Sequence, residues 1–415
     1  MKMDSLKNRK EVKGKKLTFK SFSSLKRMVW FQHFKARILG RVGFKVAWVT
    51  SGAPVEILLA FGIIPLYPEN HSAVCAARHL GKKLRTSAIS SGFCPDICSY
   101  GLIDIGSINS KISPVGGLAR PDFFLCCNNI CGTVLKWYQN LSRFFDAPIL
   151  FLDTPFLSDE YPPSAEPSSH IVDFVEKQIE ETIARLEKIM RKKFDYAKFS
   201  RILERSRHAV ELWTDILKMC RAKPSPMTSF DAFVHMTPIV TMRGTKWAVS
   251  YYEMLKNELE ERLQNGIGAI PQEKIRAVWD NIPVWPKMGA LFRYFRDKGI
   301  CVVADTYTGA WAEHLFSGNS TLRDLAKVYT SIFLNRGLKS RAERLIQLMR
   351  DFDADAFIIH SNRSCKPYSL GQYDITRIVS EKTGRRGIVI EADHGDPDAF
   401  DDSRVFAKLN AFFEL

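Results

Sequence analysis

Seven short runs of β-branched and aromatic residues, most of them followed by a turn and a helix-length amphipathic segment, set the strongest limit on what this chain can fold into. Phe44–Thr50 (FKVAWVT) ends at Ser51-Gly52-Ala53-Pro54 and leads into Val55–Gly62, where Pro54 suits a first helical position and Gly62 a helix exit. Ile63–Tyr67 follows as a second strand. The strand Asp122–Cys127 (DFFLCC), the helix Gly132–Phe145 and the strand Pro148–Leu152 (PILFL) repeat the pattern. It returns after Pro286, with helix Met288–Asp297, strand Ile300–Ala304, helix Arg341–Phe352, strand Ala356–His360, helix Gln372–Thr383, strand Gly387–Glu391 and a closing helix Arg404–Leu415. Strand, helix, strand with short turns predicts parallel sheet wrapped by helices. Between the two series, Ile171–Cys220 and Lys246–Gln264 are charged and carry apolar residues at helical spacing, such as Val172, Val175, Ile179 and Ile183. The expected fold class is therefore α/β, two Rossmann-like parallel-sheet domains flanking a helical insert. Its expected parts are a basic leader with an N-terminal helix (1–43), a first α/β domain (44–160), a helical region (161–286) and a second α/β domain (287–415). The Pro/Ser-rich Tyr161–Ser169 (YPPSAEPSS) marks the boundary after the first sheet.

The formal charge of +15 sits in one place. Met1–Lys45 holds fourteen Lys or Arg against Asp4 and Glu11, so the remainder is close to balance. Such an arm suits nucleic acid, an acidic membrane or an acidic partner. No helix-turn-helix, zinc-finger or RNP-type aromatic pattern accompanies it, so no nucleic-acid partner is expected. Within it, Phe22–Leu39 places Leu25, Val29, Phe34 and Ile38 among Lys and Arg, which predicts a basic amphipathic helix packed on the body. No apolar run approaches the roughly eighteen residues of a membrane span, so none is expected. Met1–Lys16 is polar and lysine-rich with no apolar stretch and cleavage site behind it, and the expected location is the cytoplasm.

Nine cysteines, an odd number in a chain with no export signal, are expected to be thiols or metal ligands rather than a disulfide framework. Six of them (Cys75, Cys94, Cys98, Cys126, Cys127, Cys131) fall within one 57-residue stretch, while Cys220, Cys301 and Cys365 stand apart. In open parallel sheets ligands collect at the carboxyl ends of strands. Cys131 follows one strand and heads a helix, Cys365 lies in the loop after the strand ending at His360, and Cys98 lies in a loop, DICSYG. Helix N-termini are expected to lower their pKa values. The residues alone leave four readings open: structural zinc, although no C-x2-C pair occurs; a nucleophilic thiol beside His360; a [4Fe-4S] cluster held by three thiols with one iron open; and buried small hydrophobes.

Longer motifs narrow the choice. Asp96–Gly106 (DICSYGLIDIG), Asn128–Tyr138 (NNICGTVLKWY), His360–Asp374 (HSNRSCKPYSLGQYD) and Ile390–Phe400 (IEADHGDPDAF), with Thr50–Pro65 and Pro238–Leu263, resemble the iron-sulfur family that contains the 2-hydroxyacyl-CoA dehydratases and the ATP-dependent benzoyl-CoA reductases. The resemblance runs from about Phe44 to the C-terminus and leaves out the basic leader. It implies that the three ligands of a [4Fe-4S] cluster fall on Cys98, Cys131 and Cys365. Cys94, Cys126 and Cys127 would be core thiols or, less expected, part of a double-cubane cluster; Cys75, Cys220 and Cys301 would be structural. The chain departs from the family at Asp398, where Arg often follows His394-Gly395-Asp396-Pro397, so no anion-binding role is carried over there.

The resemblance implies a catalytic component of a 2-hydroxyacyl-CoA dehydratase, working with a related second subunit. An ATP-hydrolysing iron-sulfur activator would pass one electron through the cluster to the acyl-CoA thioester, giving a ketyl radical anion that expels the 2-hydroxyl group. The alternatives are a component of a benzoyl-CoA-type reductase, in which electrons are consumed, and a non-catalytic electron carrier, whose cluster would be fully coordinated with no pocket beside it. Glu56 is the candidate for proton transfer at the leaving hydroxyl, or else a helix-start glutamate. Ser51 is a hydrogen-bond donor to the thioester or an N-cap. Arg243 and Lys246, with the leader, meet CoA phosphates, or Arg243 is a structural helix-end pair. Asn362, Arg363, Tyr368 and Gln372 are read as ordering the Cys365 loop, and Asp393-His394 as part of a hydrogen-bonded turn.

Overall fold

Buried β-branched and aromatic runs build two sheets in the computed structural model, which describes residues 19–160, 166–312, 318 and 321–414. The leader up to residue 18 and residues 161–165 of the Pro/Ser-rich connector lie outside the described residues. The first sheet holds β1 (Val46–Val49), β2 (Ile64–Leu66), β3 (Phe123–Cys127) and β4 (Ile149–Leu152) in the order β2-β1-β3-β4, all parallel. The second holds β5 (Ile275–Asp280), β6 (Ile300–Asp305), β7 (Ala356–Asn362) and β8 (Arg386–Ala392) in the order β6-β5-β7-β8, again all parallel. Each sheet thus has its first strand inside, its second to one side and its third and fourth to the other. The chain reverses direction of travel between β1 and β3, and between β5 and β7, and loops part there to leave a crevice.

Seven of the eight strands match the runs read from sequence to within about two residues. β5 (IRAVWD) does not, because it lies in the segment assigned to the helical region, and its Arg276 and Asp280 are buried charges inside a strand. Arg276 is satisfied there by the carbonyls of Phe352, Cys220 and Ala222 and by Glu273.

The helices that position the site are α1 (Ser21–Arg41), α2 (Val55–Phe61), α3 (Pro68–Ala77), α4 (Gly81–Ser90), α5 (Ser99–Ser110), α6 (Thr133–Phe145), α7 (Ser169–Met190), α8 (Tyr196–Met219) and α9 (Lys246–Gln264). The helical segment is not a separate body. Val172, Val175, Ile179 and Ile183 of α7 share a core with Val49, Leu125 and Leu150 of the first sheet. Trp213 and Ile216 of α8 and Leu255 of α9 share one with Val278, Val303 and Phe357 of the second. The insert is the mortar between the sheets. α1 buries Leu25 and Ala36 and is held against α9, where the amides of Lys20 and Ser21 donate to Glu258. α4 and α5 pack so closely that a Cβ on Gly106 would collide with the Leu84 carbonyl.

Candidate active site

The carboxyl ends of both sheets face one cavity of about 120 Å³. The loop after β1 contributes Ser51 and Gly52, the loop after β3 Ile130 and Cys131, the loop after β5 Ile282, the segment after β6 Tyr307, and the loop after β7 Cys365. Gly52 is required where the first two loops meet, since a Cβ would enter the Asn129 side chain, which itself donates to the carbonyls of Gly52 and Tyr329. The switch-point crevices of the two sheets are therefore one site.

Cys98, Cys131 and Cys365 all line this cavity and are partly accessible. Each stands at the start of a helix. Cys98 is the N-cap of α5, Cys131 precedes the Gly132 cap of α6, and Cys365 is the N-cap of the short helix Lys366–Ser369. Orphan amides of the first turn consequently point at sulfur: those of Tyr100 and Gly101 at Cys98, Thr133 and Val134 at Cys131, and Tyr368 at Cys365. Cys98 lies at the last position of its loop, where it caps α5.

The expectation of lowered thiol pKa values is overturned. Burial pushes the Cys365 thiol up to about 12, and Cys131 and Cys98 are raised as well, Cys98 further by repulsion from the other two thiolates. Desolvation outweighs the amide hydrogen bonds. Three thiols whose ionisation burial disfavours, each with amide donors aimed at its sulfur, form a donor set that fits a cationic iron cluster, whose charge would offset that cost. Among the described residues no three His, Cys, Asp or Glu side chains are gathered so as to hold a single metal ion.

The remaining cysteines stay out of the cavity. Cys126 and Cys127 are buried in β3, Cys75, Cys220 and Cys301 are buried elsewhere, and Cys94 is exposed. His360 is buried outside the cavity lining, its Nδ1 lying 2.6 Å from the Ile282 carbonyl.

The carboxyl group that lines the cavity is Glu69, in the first turn of α3, which sequence reading passed over. Ser51 holds it twice, its amide donating at 2.9 Å and its hydroxyl at 2.8 Å. Burial raises the Glu69 pKa despite both donors, a carboxyl that resists ionisation beside three thiols. Ser51 is accordingly not an N-cap, since the cap of α2 is Pro54.

Glu56 is placed elsewhere. It is fully buried, pairs with Arg243 Nε at 3.0 Å, accepts from Ser206 and Tyr329 hydroxyls at 2.8 Å, and lines no part of the cavity. This network also removes Arg243 from any role with CoA phosphates: it is 1% exposed and bound to Glu56, Tyr329 and backbone carbonyls. Lys246 is exposed at the head of α9.

The turn after β8 ties the ligand loops together. Asp393 accepts from the amides of Gly395, Asp396 and Ser364, and the Ser364 hydroxyl accepts from the Ser99 amide beside Cys98. His394 Nδ1 lies 3.0 Å from Asn362 Oδ1 and its Nε2 lies 3.8 Å from Cys98 Sγ. Gln372 donates to Ser361, Arg363 bonds Ala392 through its amide, and Tyr368 walls the cavity. Asp398 pairs with Lys82 on the surface.

The family described as 2-hydroxyglutaryl-CoA dehydratase, D-component, matches residues 50–415. The chain belongs to this family. It is 33% identical to the (R)-2-hydroxyisocaproyl-CoA dehydratase alpha subunit of Clostridioides difficile over 92% of each chain. It is 31% identical to the lactoyl-CoA dehydratase alpha subunit of Anaerotignum propionicum over 90% of this chain and 91% of that one. A component of the benzoyl-CoA reductase of Thauera aromatica is 30% identical over 87% of this chain and 86% of its own. The D-component relatives are thus dehydratases and a reductase, the two classes that the motifs implied, and each of the three is one subunit of a larger enzyme. Among the described residues no helix is long and apolar enough to cross a membrane.

Proposed function

We propose that this chain is the catalytic iron-sulfur subunit of a 2-hydroxyacyl-CoA dehydratase, with Cys98, Cys131 and Cys365 holding a [4Fe-4S] cluster. One observation carries the reading: three thiols from both halves of the fold and the Ser51–Glu69 pair line a single cavity. Bound there, a cluster would supply one-electron chemistry to an acyl-CoA thioester, charged by an ATP-hydrolysing activator, so that the 2-hydroxyl group would leave from a ketyl radical anion and the electron would be recovered after each turnover. The protein's own residues do the rest. Trp137, Ile282, Trp311, Phe333 and Leu334 give the cavity apolar walls that exclude water from a radical. Glu69, whose pKa burial raises and whose carboxyl Ser51 orients, is the acid placed to give a proton to the oxygen of the departing hydroxyl. The open cavity beside the thiols favours catalysis over simple electron carriage.

Anaerobic reconstitution tests the reading. Single Cys98→Ala, Cys131→Ala and Cys365→Ala variants are expected to lose iron, sulfide and the cluster's EPR signal, whereas Cys94→Ala keeps them. With a partner subunit and activator, water is lost from a 2-hydroxyacyl-CoA with no net electron consumption. Stoichiometric electron uptake would instead assign a reductase of the benzoyl-CoA type, and full iron content in all three variants would end the proposal.

A further inference from the structure

A strongly cationic stretch of the described chain also carries a run of exposed aromatic side chains. From Phe19 to Lys45 there are seven Lys or Arg and no Asp or Glu. One face of α1 packs on the body through Leu25 and Ala36, and just ahead of the helix Arg262 lies 3.7 Å over the Phe19 ring. On the opposite face Trp30, Phe31, Phe34 and Ile38 are 59, 46, 38 and 43% exposed. Trp30 and Phe34 stack at 4.8 Å, and Trp247 in the first turn of α9, itself 59% exposed, meets Phe31 at 6.1 Å, so the stripe continues onto a second helix. Lys26, Arg27, Lys35, Arg41 and Lys246 surround it with no ion pair among the described residues; Lys20 and Lys45 at the margins are matched by Glu261 and Asp122.

Single exposed apolar side chains are ordinary on a protein surface; a contiguous stripe of rings ringed by unmatched cations is not. Its shape decides between occupants. An acidic protein would neutralise the cations but would need a groove cut to a convex ridge of rings, whereas a bilayer interface admits such a ridge as it stands. The rings seat at the headgroup boundary while Lys and Arg side chains reach lipid phosphates. The leader ahead of α1 adds seven more Lys or Arg against Asp4 and Glu11. The match to the dehydratase family begins at residue 50, so the α1 part of this surface lies ahead of it, while Lys246 and Trp247 lie within it.

We propose that α1 and the start of α9 dock the protein peripherally on an anionic lipid surface. Co-sedimentation of the full-length, cluster-loaded protein with phosphatidylglycerol/phosphatidylcholine vesicles and with phosphatidylcholine vesicles tests this. Binding is expected to the anionic vesicles alone and to weaken at high salt. A Trp30→Ser/Phe34→Ser variant lowers it by about ten-fold or more, and a Lys35→Glu/Arg41→Glu variant, which leaves every ring in place, does the same. Iron content and dehydration activity in solution stay at wild-type values in both, which separates this proposal from that for the active site. No sedimentation with anionic vesicles, capture by an acidic protein without vesicle binding, or wild-type binding by both variants would each overturn it.

Discussion

Two glutamates, Glu56 and Glu69, stand at the start of short helices behind a proline, and only one reaches the chemistry. Sequence cannot separate them, since Pro54-Val55-Glu56 and Pro68-Glu69 give the same first-turn pattern after a strand. Tertiary packing separates them: Glu56 meets a buried cation and Glu69 meets a cavity. Replacing Glu69 with Gln preserves size and the contact with Ser51 while removing the acid, so turnover is expected to fall by about 10²–10⁴-fold at unchanged iron and sulfide content. Turnover within a few-fold of wild type would take Glu69 out of the mechanism. At Glu56 the expectation is structural. Arg243→Met leaves a buried carboxylate without its cation, a loss of about 3–5 kcal/mol in unfolding free energy, read by urea denaturation. The cysteines were legible because their flanking motifs are long; their pKa values were not, because desolvation depends on what other segments bring alongside.

Elements were legible where burial is uniform. β1 and β3 are buried throughout and announce themselves as apolar runs. β5 was hidden because its buried Arg276 and Asp280 break the run, and much of what satisfies them comes from other elements: the Phe352, Cys220 and Ala222 carbonyls for Arg276 and the Thr306 hydroxyl for Asp280. The α4–α5 crossing was likewise invisible, since it rests on the missing side chain of Gly106 rather than on any residue pattern. Gly106→Ala is expected to force the helices apart at the cost of about 1–3 kcal/mol. Because Cys98 caps α5, the same variant should, on the proposed ligation, disturb the EPR line shape of the reconstituted protein. Unchanged stability and spectrum would show that α4 yields freely.

At the scale of the molecule, the two sheets repeat one strand order and turn their carboxyl ends toward each other, and the helical segment belongs to the cores of both. Composition and periodicity reveal the two series of strands; they do not reveal that the series face a common cavity. All three thiols lie beyond residue 44, so removing residues 1–18 should leave iron content and melting temperature unchanged. Removing residues 1–43 should, on the proposed ligation, keep the iron content but lower the melting temperature, because it uncovers the α9 surface that α1 protects. Loss of iron in the shorter truncation would give the leader a role in ligation.

Cys98 and Cys131 belong to the first half of the chain, and Cys365 follows 234 residues after Cys131. During translation the ribosome thus presents two sulfurs long before the third exists, and the cavity that shields them forms only when β7 docks beside β5. On the proposed ligation, maturation factors must deliver iron and sulfide to a finished polypeptide through the mouth of a folded cleft. Holo-protein yield is then governed by supply of inorganic cofactor after synthesis, not by the pace of elongation.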